Sequence, residues 1–258
     1  MALEHAILPA AAPIPRQAVL RTRTDSQGKT VTNTVLLSLP EEEFRILRPC
    51  LESVEMPQYH LLYDQSSRIE HAYFVNDGMV SLVILSSDGR SIEVGITGRE
   101  GVVGIPPIFG FYDAPNRAIV QLPGSGSRVS WRALAELFAG CPTLRLLMER
   151  YVFTQQLQIA QTAVCNRLHD MERRLARWLL MCQDTVDSGL LLLTHDFIAQ
   201  MLGTGRPTVT ITAGLLARAG LIENSRGKIK ILNRKRLEDA ACECYAAIQS
   251  FRGALAFA

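Results

Sequence analysis

Residues 194–222 form the segment that most constrains the fold of this chain, THDFIAQMLGTGRPTVTITAGLLARAGLI. Thr194 is a good N-cap for a short helix, and Gly203-Thr204-Gly205 then requires a sharp turn. Pro207 suits the first position of a second helix, where its missing N–H costs nothing, and Gly220 suits the position just after that helix. The segment therefore predicts a helix-turn-helix whose apolar seam consists of Ile198, Leu202, Val209, Leu215 and Leu216.

A basic β-hairpin is predicted directly after the second helix. Leu221-Ile222 and residues 228–232 read as two strands around a turn at residues 224–227. Isoleucine and lysine alternate in the second strand, so Ile229 and Ile231 should face inward and the two lysines outward. Residues 194–236 carry eight basic against two acidic side chains, which indicates a polyanionic partner or, alternatively, a solvated basic surface.

The start of the second helix is the predicted contact with DNA, because this end enters the major groove in helix-turn-helix motifs. The guanidinium of Arg206 can donate two hydrogen bonds to one guanine, at O6 and N7. Threonine hydroxyls and lysines suit phosphates. The alternative is a winged helix used only for protein contacts. This alternative does not account for the basic residues at the turn, the helix start and the hairpin tip. The predicted DNA-binding residues are Thr194, His195, Thr204, Gly205, Arg206, Pro207, Thr208, Thr210, Ser225, Arg226, Gly227 and Lys228.

The first half of the chain has a different pattern. Three acids after Pro40 mark a helix start, and that helix is expected to end near Val54. From Met56 to Ser130, short runs rich in β-branched and aromatic residues alternate with strong turn sequences, as in a sandwich or barrel. A βαβ sheet is excluded because no segment between the runs is long enough for a crossover helix.

Helical periodicity resumes after Trp131, and the longest helix is predicted from Thr143 to Cys165, followed by another at about 169–183. The face of the longest helix is too wide for one neighbour and predicts a dimer contact. The alternative is a helix packed wholly on its own domain. The predicted interface residues are Leu144, Leu147, Tyr151, Gln155, Gln158 and Thr162.

Membrane and secretory readings do not fit the sequence. No stretch approaches the roughly 20 uninterrupted apolar residues of a membrane helix. The N-terminus has Glu4 and lacks a basic region, so we expect a cytoplasmic protein.

The six cysteines form no CxxC pair. Cys242 and Cys244 would point to different sides of a helix, so no shared metal site is expected.

The order of these segments, with GTGRPTVTITAGLLARAGLI followed by RGKIKIL, resembles the CRP/FNR family of bacterial transcription regulators from about Leu36 to Leu237. The resemblance implies an α+β chain with an N-terminal antiparallel β-roll of the jelly-roll, cyclic-nucleotide-binding-like type, a long dimerisation helix and a C-terminal winged helix-turn-helix. The expected divisions are a flexible arm at 1–33, a sensor at 34–141, the dimerisation helix at 142–168, the DNA-binding domain at 169–240 and a helical tail at 241–258.

The resemblance also implies individual roles. Arg206 would read a guanine, His195 would touch the DNA backbone, and the hairpin tip would meet phosphate. The sequence departs from the family's best-known member at Pro207 and Ile211, where that member has further polar side chains that read bases. This departure leaves the operator sequence open.

The sensor half departs further from the family pattern. The family's nucleotide pocket uses a glutamate for the ribose and an Arg-Ser pair for the cyclic phosphate, and here Ile105 and Ala118 replace the carboxylate and the hydroxyl. A pocket without these polar partners loses discrimination for a ribose, so we expect no tight binding of cyclic AMP. The arginine of the Arg-Ser pair is retained as Arg117. The alternative interpretation is that Arg117 is an ordinary surface or ion-paired arginine. The candidate residues for a pocket with an unidentified effector are Gly104, Ile105, Asn116, Arg117 and Ala118.

Other sensing chemistries and functions find less support. A redox cluster needs several N-terminal cysteines, and only Cys50 precedes residue 141. His60 and His71 are more typical of structural histidines than of haem ligands, and they lack the spacing of a cupin-type metal enzyme. A regulatory or interaction protein that does not bind DNA is the remaining alternative. The sequence therefore predicts no cofactor and no enzyme, but a homodimeric regulator that binds a palindromic operator and, if it is an activator, RNA polymerase.

Overall fold

The computed structural model describes residues 22–255, with side chains up to residue 252. Its first half is an antiparallel β-roll whose main sheet has the strand order β3-β8-β5-β6, with β4 paired to β8 and β7 paired to β5. The two longest strands, β5 and β8, form the spine of the roll. The strands are β3 (Glu52–Met56), β4 (Leu61–Tyr63), β5 (His71–Leu85), β6 (Ser91–Thr97), β7 (Val102–Val103) and β8 (Arg117–Ser130).

The spine bends where its register shifts between Val75 and Val80. Gly78 has a φ of +82°, and a Cβ atom on Gly124 would lie 2.1 Å from the carbonyl oxygen of Asp77. Side chains at these two positions would therefore clash with the paired strand or strain the backbone. The irregular pairing allows two long strands to curl into a roll.

Part of the predicted flexible arm is folded, which corrects that expectation. A hairpin of β1 (Arg23–Thr24) and β2 (Thr30–Val31) precedes helix α1 (Thr34–Leu37). The Asn33 side chain is fully buried and donates to the carbonyl oxygens of Val75 and Gly101, which fixes the segment on the roll. Residues 1–21 of the predicted arm lie outside the described residues.

The helix after Pro40 is shorter than predicted. Helix α2 spans Glu41–Leu47 and continues only as a 3₁₀ turn at Arg48–Cys50 before β3 begins. Pro49 lacks an N–H group, so it cannot extend the α-helical hydrogen bonds to Val54. The second short 3₁₀ segment, Pro106–Phe109, lies between β7 and β8.

The second half of the chain is mainly helical. After α3 comes the long helix α4, which begins with Pro142 in its first turn and ends at Leu168. Helix α4 lies along β6, and α9 packs on α4. The remaining elements are α3 (Trp131–Leu137), α4 (Pro142–Leu168), α5 (Met171–Val186), β9 (Leu190–Leu191), α6 (His195–Met201), α7 (Arg206–Arg218), β10 (Ile222–Ser225), β11 (Lys228–Ile231), α8 (Arg234–Ala240) and α9 (Cys244–Leu255).

The C-terminal domain, residues 171–255, is docked on the β-roll of its own chain. Met79, Ile96 and Leu122 of the roll belong to the same apolar cluster as residues of α5, α6 and α7. At this contact the buried Glu93 accepts hydrogen bonds from Trp178 Nε1 at 2.8 Å and from Ser81 Oγ at 2.6 Å. Desolvation raises the pKa of Glu93 to about 7, although both hydrogen bonds oppose the shift.

No helix within the described residues is long and apolar enough to cross a membrane.

Candidate nucleic-acid interface

The helix-turn-helix is built from local capping and a glycine turn, as the sequence predicts. Thr194 Oγ1 accepts from the Phe197 N–H and caps α6. Gly203 then adopts a φ of +61°, and Gly205 is the N-cap of α7. Helix α7 begins at Arg206, so Pro207 occupies its second position rather than its first. The backbone of the turn thus directs the start of α7 away from α6.

Helix α7 separates into a buried and an exposed face. Val209, Ala213 and Leu216 are fully buried against the C-terminal core, together with Ile198 and Leu202 of the preceding helix and turn. Leu215 was predicted in this seam and is 41% exposed instead, because it lies about 100° around the helix axis from Leu216, beyond the edge of the buried face. The exposed N-terminal face of α7 carries Arg206, Pro207, Thr208, Thr210 and Ile211.

The basic hairpin of β10 and β11 forms a three-stranded wing together with β9. Strands β10 and β11 pair around Arg226-Gly227, and Gly227 has the positive φ of +71° that this tight turn requires. Ile229 and Ile231 are buried while Lys228 and Lys230 are exposed, as the period of two predicts. Strand β9 pairs with β11 and was not predicted, since its two residues are too short to show a period.

His195 connects the three elements of this surface. Its Nδ1 lies 2.9 Å from Thr210 Oγ1 on α7, and its Nε2 lies 3.1 Å from Asn224 Oδ1 on β10. Both ring nitrogens are therefore engaged within the protein, so His195 positions the recognition helix α7 relative to the wing. Asn224 was missed by the sequence reasoning because its role depends on a contact with a residue 29 positions away.

Arg206 has a loosely held intramolecular partner. Its Nε lies 3.6 Å from Asp196 Oδ1, and both side chains are 65% exposed. Asp196 was also missed, although an acidic residue in the first turn of α6 is the type of signal that could have found it. Such an exposed pair contributes little stability, so the guanidinium can exchange Asp196 for another acceptor.

The five residues predicted to line an effector pocket do not form an open polar cleft. Arg117 makes a bidentate ion pair with Asp64, with both N–O distances at 2.9 Å, and this hydrogen bonding lowers the pKa of Asp64. Ile105 and Ala118 are buried. Gly104 accepts a hydrogen bond from Trp131 Nε1, and Asn116 Oδ1 is buried without a partner in the described residues.

A cavity of about 150 Å³ on the β-roll adjoins these residues, since its lining includes Tyr63, which pairs with Ala118, and His71, whose carbonyl oxygen lies beside Gly104. Ligand pockets for drug-sized molecules have volumes of about 300–1,000 Å³, so this cavity is small for a cyclic nucleotide. None of the five predicted effector residues is among its lining residues, which are Leu62, Tyr63, Ser67, Arg68, Glu70, His71 and Tyr73.

The predicted dimer face of α4 requires a correction. Leu144, Leu147, Tyr151, Gln158 and Thr162 are all buried within their own chain. Gln155 is half-buried, and it contacts Thr97 Oγ1 of β6 at 3.2 Å, beside the Tyr151 hydroxyl at 2.8 Å from the same oxygen. This face packs on the β-roll and on α9, because the hydrophobic pattern alone does not identify which neighbour covers a helix face. The exposed large apolar residues of α4 are instead Leu146, Phe153, Val164 and Leu168.

The structure also brings together cysteines that were expected to lie apart. Cys242 precedes α9 and Cys244 begins it, so the two are not related by regular helical geometry. Together with Cys165 and His169, their side chains form a compact cluster of possible metal ligands. Their predicted separation was wrong because it assumed that both residues lie inside one helix.

The fold and site define a two-domain, winged helix-turn-helix regulator. Residues 173–240 match the family model of the Crp-like helix-turn-helix domain. The chain is 27% identical over 179 residues to the transcriptional regulator SdrP of Thermus thermophilus, covering 67% of this chain and 84% of SdrP. It is 29% identical over 203 residues to the global nitrogen regulator of Synechocystis, covering 71% and 88%.

Solved structures agree with this fold. FixK2 of Bradyrhizobium japonicum has a TM-score of 0.65 and 18% identity, and the match covers 74% of this chain and 98% of FixK2. A putative CRP/FNR-family regulator of Eubacterium rectale has a TM-score of 0.62 and 18% identity, covering 80% and 97%. Residues 173–240 thus form a Crp-like helix-turn-helix domain, and the fold of the chain is similar to that of CRP/FNR-family regulators.

Proposed function

We propose that the protein acts as a homodimer that binds a two-fold symmetric operator through the N-terminal face of α7 and the tip of the wing. The observation that carries this proposal is the exposure of Arg206, Thr208 and Thr210 beside the basic tip at Arg226 and Lys228. The helix start suits base edges in the major groove, and the wing tip suits the flanking phosphates. His195 supports both contacts from within the protein.

The proposed dimer contact is the exposed apolar face of α4, not the face that packs on the β-roll. Leu146, Phe153 and Val164 recur at spacings close to those of a coiled-coil seam, and Phe153 is 61% exposed. Two antiparallel or parallel copies of α4 would bury this face, and the dimer would place two recognition helices about 34 Å apart on successive major grooves. CRP-family regulators typically act as dimers, which favours a second copy as the occupant.

The dimer is tested by Phe153→Glu, because a charge in the seam must be buried unpaired on association. Sedimentation equilibrium should show a dimer for the unaltered protein and a monomer for the variant. Phe111→Glu is the matched control, since Phe111 is 69% exposed outside α4. Equal dissociation of both variants, or a dimer that persists in Phe153→Glu, would assign the contact to another surface.

The operator is tested by selecting sites from random duplex DNA with the purified protein, without added ligand, at two salt concentrations. We expect enrichment of a two-fold symmetric sequence and an affinity that falls steeply with salt, as release of counterions from phosphate requires. Enrichment of an asymmetric site, or none, would contradict the proposal as stated for the free protein.

We propose that any effector of the β-roll is not cyclic AMP. Ile105 and Ala118 supply neither a carboxylate nor a hydroxyl, and Arg117 is already paired with Asp64. Calorimetry with cyclic AMP should detect no binding at micromolar concentrations. Micromolar or tighter binding would overturn this part of the proposal. If the protein activates transcription, RNA polymerase is its expected protein partner.

A further inference from the structure

Four side chains that commonly bind metals converge where α4 meets the C-terminal domain. The sulfurs of Cys165, Cys242 and Cys244 and a ring nitrogen of His169 all lie within 4.8 Å of one another. Two of these distances are 3.5 Å, from Cys165 Sγ to Cys242 Sγ and from Cys244 Sγ to His169 Nδ1. The three cysteines are at most 3% exposed, so the cluster is shielded from water on its sulfur side.

We propose that these side chains form a Cys₃His site for one zinc ion. Zinc in structural sites takes four tetrahedral ligands, with Zn–S bonds of about 2.3 Å and Zn–N bonds of about 2.0–2.1 Å. Those bond lengths place the ligand atoms roughly 3.5–3.8 Å from one another. Two separations of 3.5 Å already match this spacing, and the other ligand atoms, which lie within 4.8 Å of one another, would close the tetrahedron by side-chain rotation.

The histidine is oriented as a metal ligand requires. His169 Nε2 lies 3.0 Å from Glu243 Oε1. A carboxylate accepts the hydrogen bond, so Nε2 carries the proton and the lone pair of neutral His169 is on Nδ1, the nitrogen that faces Cys244. A carboxylate bound to the outer nitrogen of a ligating histidine is the usual support of such sites. Glu243 is placed for this role because it lies between two of the cysteines in the chain.

Two neighbouring polar side chains can stabilise thiolate sulfurs in the cluster. Gln161 Nε2 lies 3.1 Å from Cys244 Sγ and donates to it. Arg177 is 2% exposed, its Nε has no hydrogen-bond partner, and it makes no direct ion pair within the described residues, although the Glu93 carboxyl attracts it electrostatically. A buried guanidinium without a direct counter-ion is costly. Zinc with three thiolates carries one net negative charge, which would supply the countercharge near Arg177.

The ligands come from two distant parts of the chain. Cys165 lies in the last turn of α4 and His169 immediately follows that helix, whereas Cys242 and Cys244 connect α8 to α9. A zinc ion would therefore fasten the junction between α4 and α5 to the C-terminal segment that follows the wing. Binding would replace the thiol protons without any redox step, and it would restrict rotation of the C-terminal domain about the end of α4. Under the dimer proposed above, this restriction would set the angle between the two recognition helices.

The first test measures metal in the full chain purified under reducing conditions with zinc supplied. Elemental analysis should find about one zinc per chain, and X-ray absorption should show three sulfurs at about 2.3 Å and one nitrogen at about 2.0–2.1 Å. Replacement by cobalt(II) should give the intense absorption of thiolate-to-metal charge transfer. A chain with no bound zinc and no thiolate–cobalt absorption would overturn the proposal.

Variants locate the metal in the chain. Cys244→Ser should lower zinc content at least about tenfold, whereas Cys50→Ser and Cys182→Ser, which remove thiols outside the cluster, should keep one zinc. Glu243→Gln should weaken zinc binding about 10- to 100-fold, and Glu172→Gln is its exposed control. Full zinc content in Cys244→Ser would overturn the assignment. If Cys244→Ser does not fold, Glu243→Gln and the absorption data on the unaltered chain still decide.

The same cysteines could instead form a disulfide, which the experiment distinguishes. A bond between Cys165 and Cys242 requires the sulfurs to approach to about 2.05 Å and precludes their joint ligation of zinc. Alkylation followed by mass spectrometry should find all three cysteines as free or metal-protected thiols. Recovery of a disulfide between Cys165 and Cys242 from protein kept under reductant would contradict the zinc site.

Discussion

Two arginines that were both predicted to bind a ligand lie in contrasting surroundings. Arg206, at the start of α7, has one carboxylate contact at 3.6 Å and a side chain that is 65% exposed. Arg117, on the β-roll, makes two contacts of 2.9 Å with the carboxylate of Asp64 and is 32% exposed. The residue type is the same in the two regions, but only the winged region leaves its guanidinium available.

The geometry explains the contrast. A bidentate pair between guanidinium and carboxylate uses the planar fork of arginine fully, and an incoming phosphate must first displace it. The contact between Arg206 and Asp196 is longer, exposed and screened by salt, so exchange for a DNA acceptor costs little. An arginine therefore indicates a binding site only when the carboxylates near it are known, and for Arg117 the carboxylate comes from a distant part of the chain.

The largest expected effect is the loss of DNA affinity on Arg206→Ala. Removing a bidentate contact to guanine should cost about 1–3 kcal/mol per half-site and relax specificity at one symmetric base pair. Titration of the selected operator, and of the same operator altered at each symmetric guanine, measures both effects. The variant should bind the altered and unaltered operators with nearly equal affinity.

Lys228→Ala is the control for Arg206→Ala, because a wing-tip lysine is expected to contact phosphate. It should weaken binding to all sequences alike and reduce the slope of affinity against salt by about one ion. A variant Arg206→Ala that keeps both affinity and preference would show that α7 does not read the operator as proposed.

The contact between the two regions is expected to depend on pH through Glu93. Burial raises its pKa from 4.5 to about 7, so the folded chain holds a proton that the unfolded chain releases. The resulting stability is fully present below pH 4.5 and is lost as the pH rises through 7. The loss is on the order of 3 kcal/mol, at 1.36 kcal/mol per pKa unit.

Glu93→Gln removes this titration while keeping an oxygen that can accept from Trp178. Urea unfolding at pH 5, 6, 7 and 8 should show a stability that falls with pH in the unaltered chain and a smaller fall in the variant. Glu223→Gln, on the exposed surface of the wing, is the matched control. Identical pH profiles for Glu93→Gln and the unaltered chain would mean that Glu93 is not the group responsible.

The winged region could be predicted from sequence because its determinants are local. Thr194 caps α6 by accepting from the N–H three residues later, Gly220 follows the C-cap of α7, and Ile229 alternates with its neighbouring lysines. Each of these rules spans only a few residues, so one sequence suffices. The connection of His195 to Asn224 spans 29 residues and was not predictable in this way.

The β-roll and α4 depend on contacts that no local pattern contains. The partner of Arg117 is 53 residues away, and Cys165 meets Cys242 across 77 residues. The stripe with Leu144 and Tyr151 is apolar whether it faces a second copy or its own β-roll. Periodicity therefore predicted the helix correctly, but it could not identify which neighbour covers this face.

A smaller effect is expected from Asp196→Asn, which makes Arg206 fully available. The loss of an exposed ion pair and of a negative charge near DNA should raise operator affinity about two- to fivefold, equivalent to roughly 0.4–1 kcal/mol. Binding titrations at low and high salt should show the gain shrinking as salt screens the pair. Asp239→Asn, on α8, is the control for a general change in charge. Unchanged or weaker binding by Asp196→Asn would mean that Asp196 does not compete with DNA for Arg206.

The smallest effect is expected from Asp64→Asn, which breaks the pair that occupies Arg117. Because both side chains are partly exposed, unfolding should become easier by only about 0.2–1 kcal/mol. The pKa of Asp64 is lowered in the folded chain, so this contribution exists above the usual pKa of 3.8 and disappears as the pH falls through the lowered value. Urea unfolding should therefore separate variant and unaltered chain at pH 7 and not in strong acid, while operator affinity stays within about twofold, a change below roughly 0.4 kcal/mol. A large loss of DNA binding would show that the pair of Arg117 and Asp64 communicates with α7, and the contrast between a paired and an available arginine would then no longer separate the two regions.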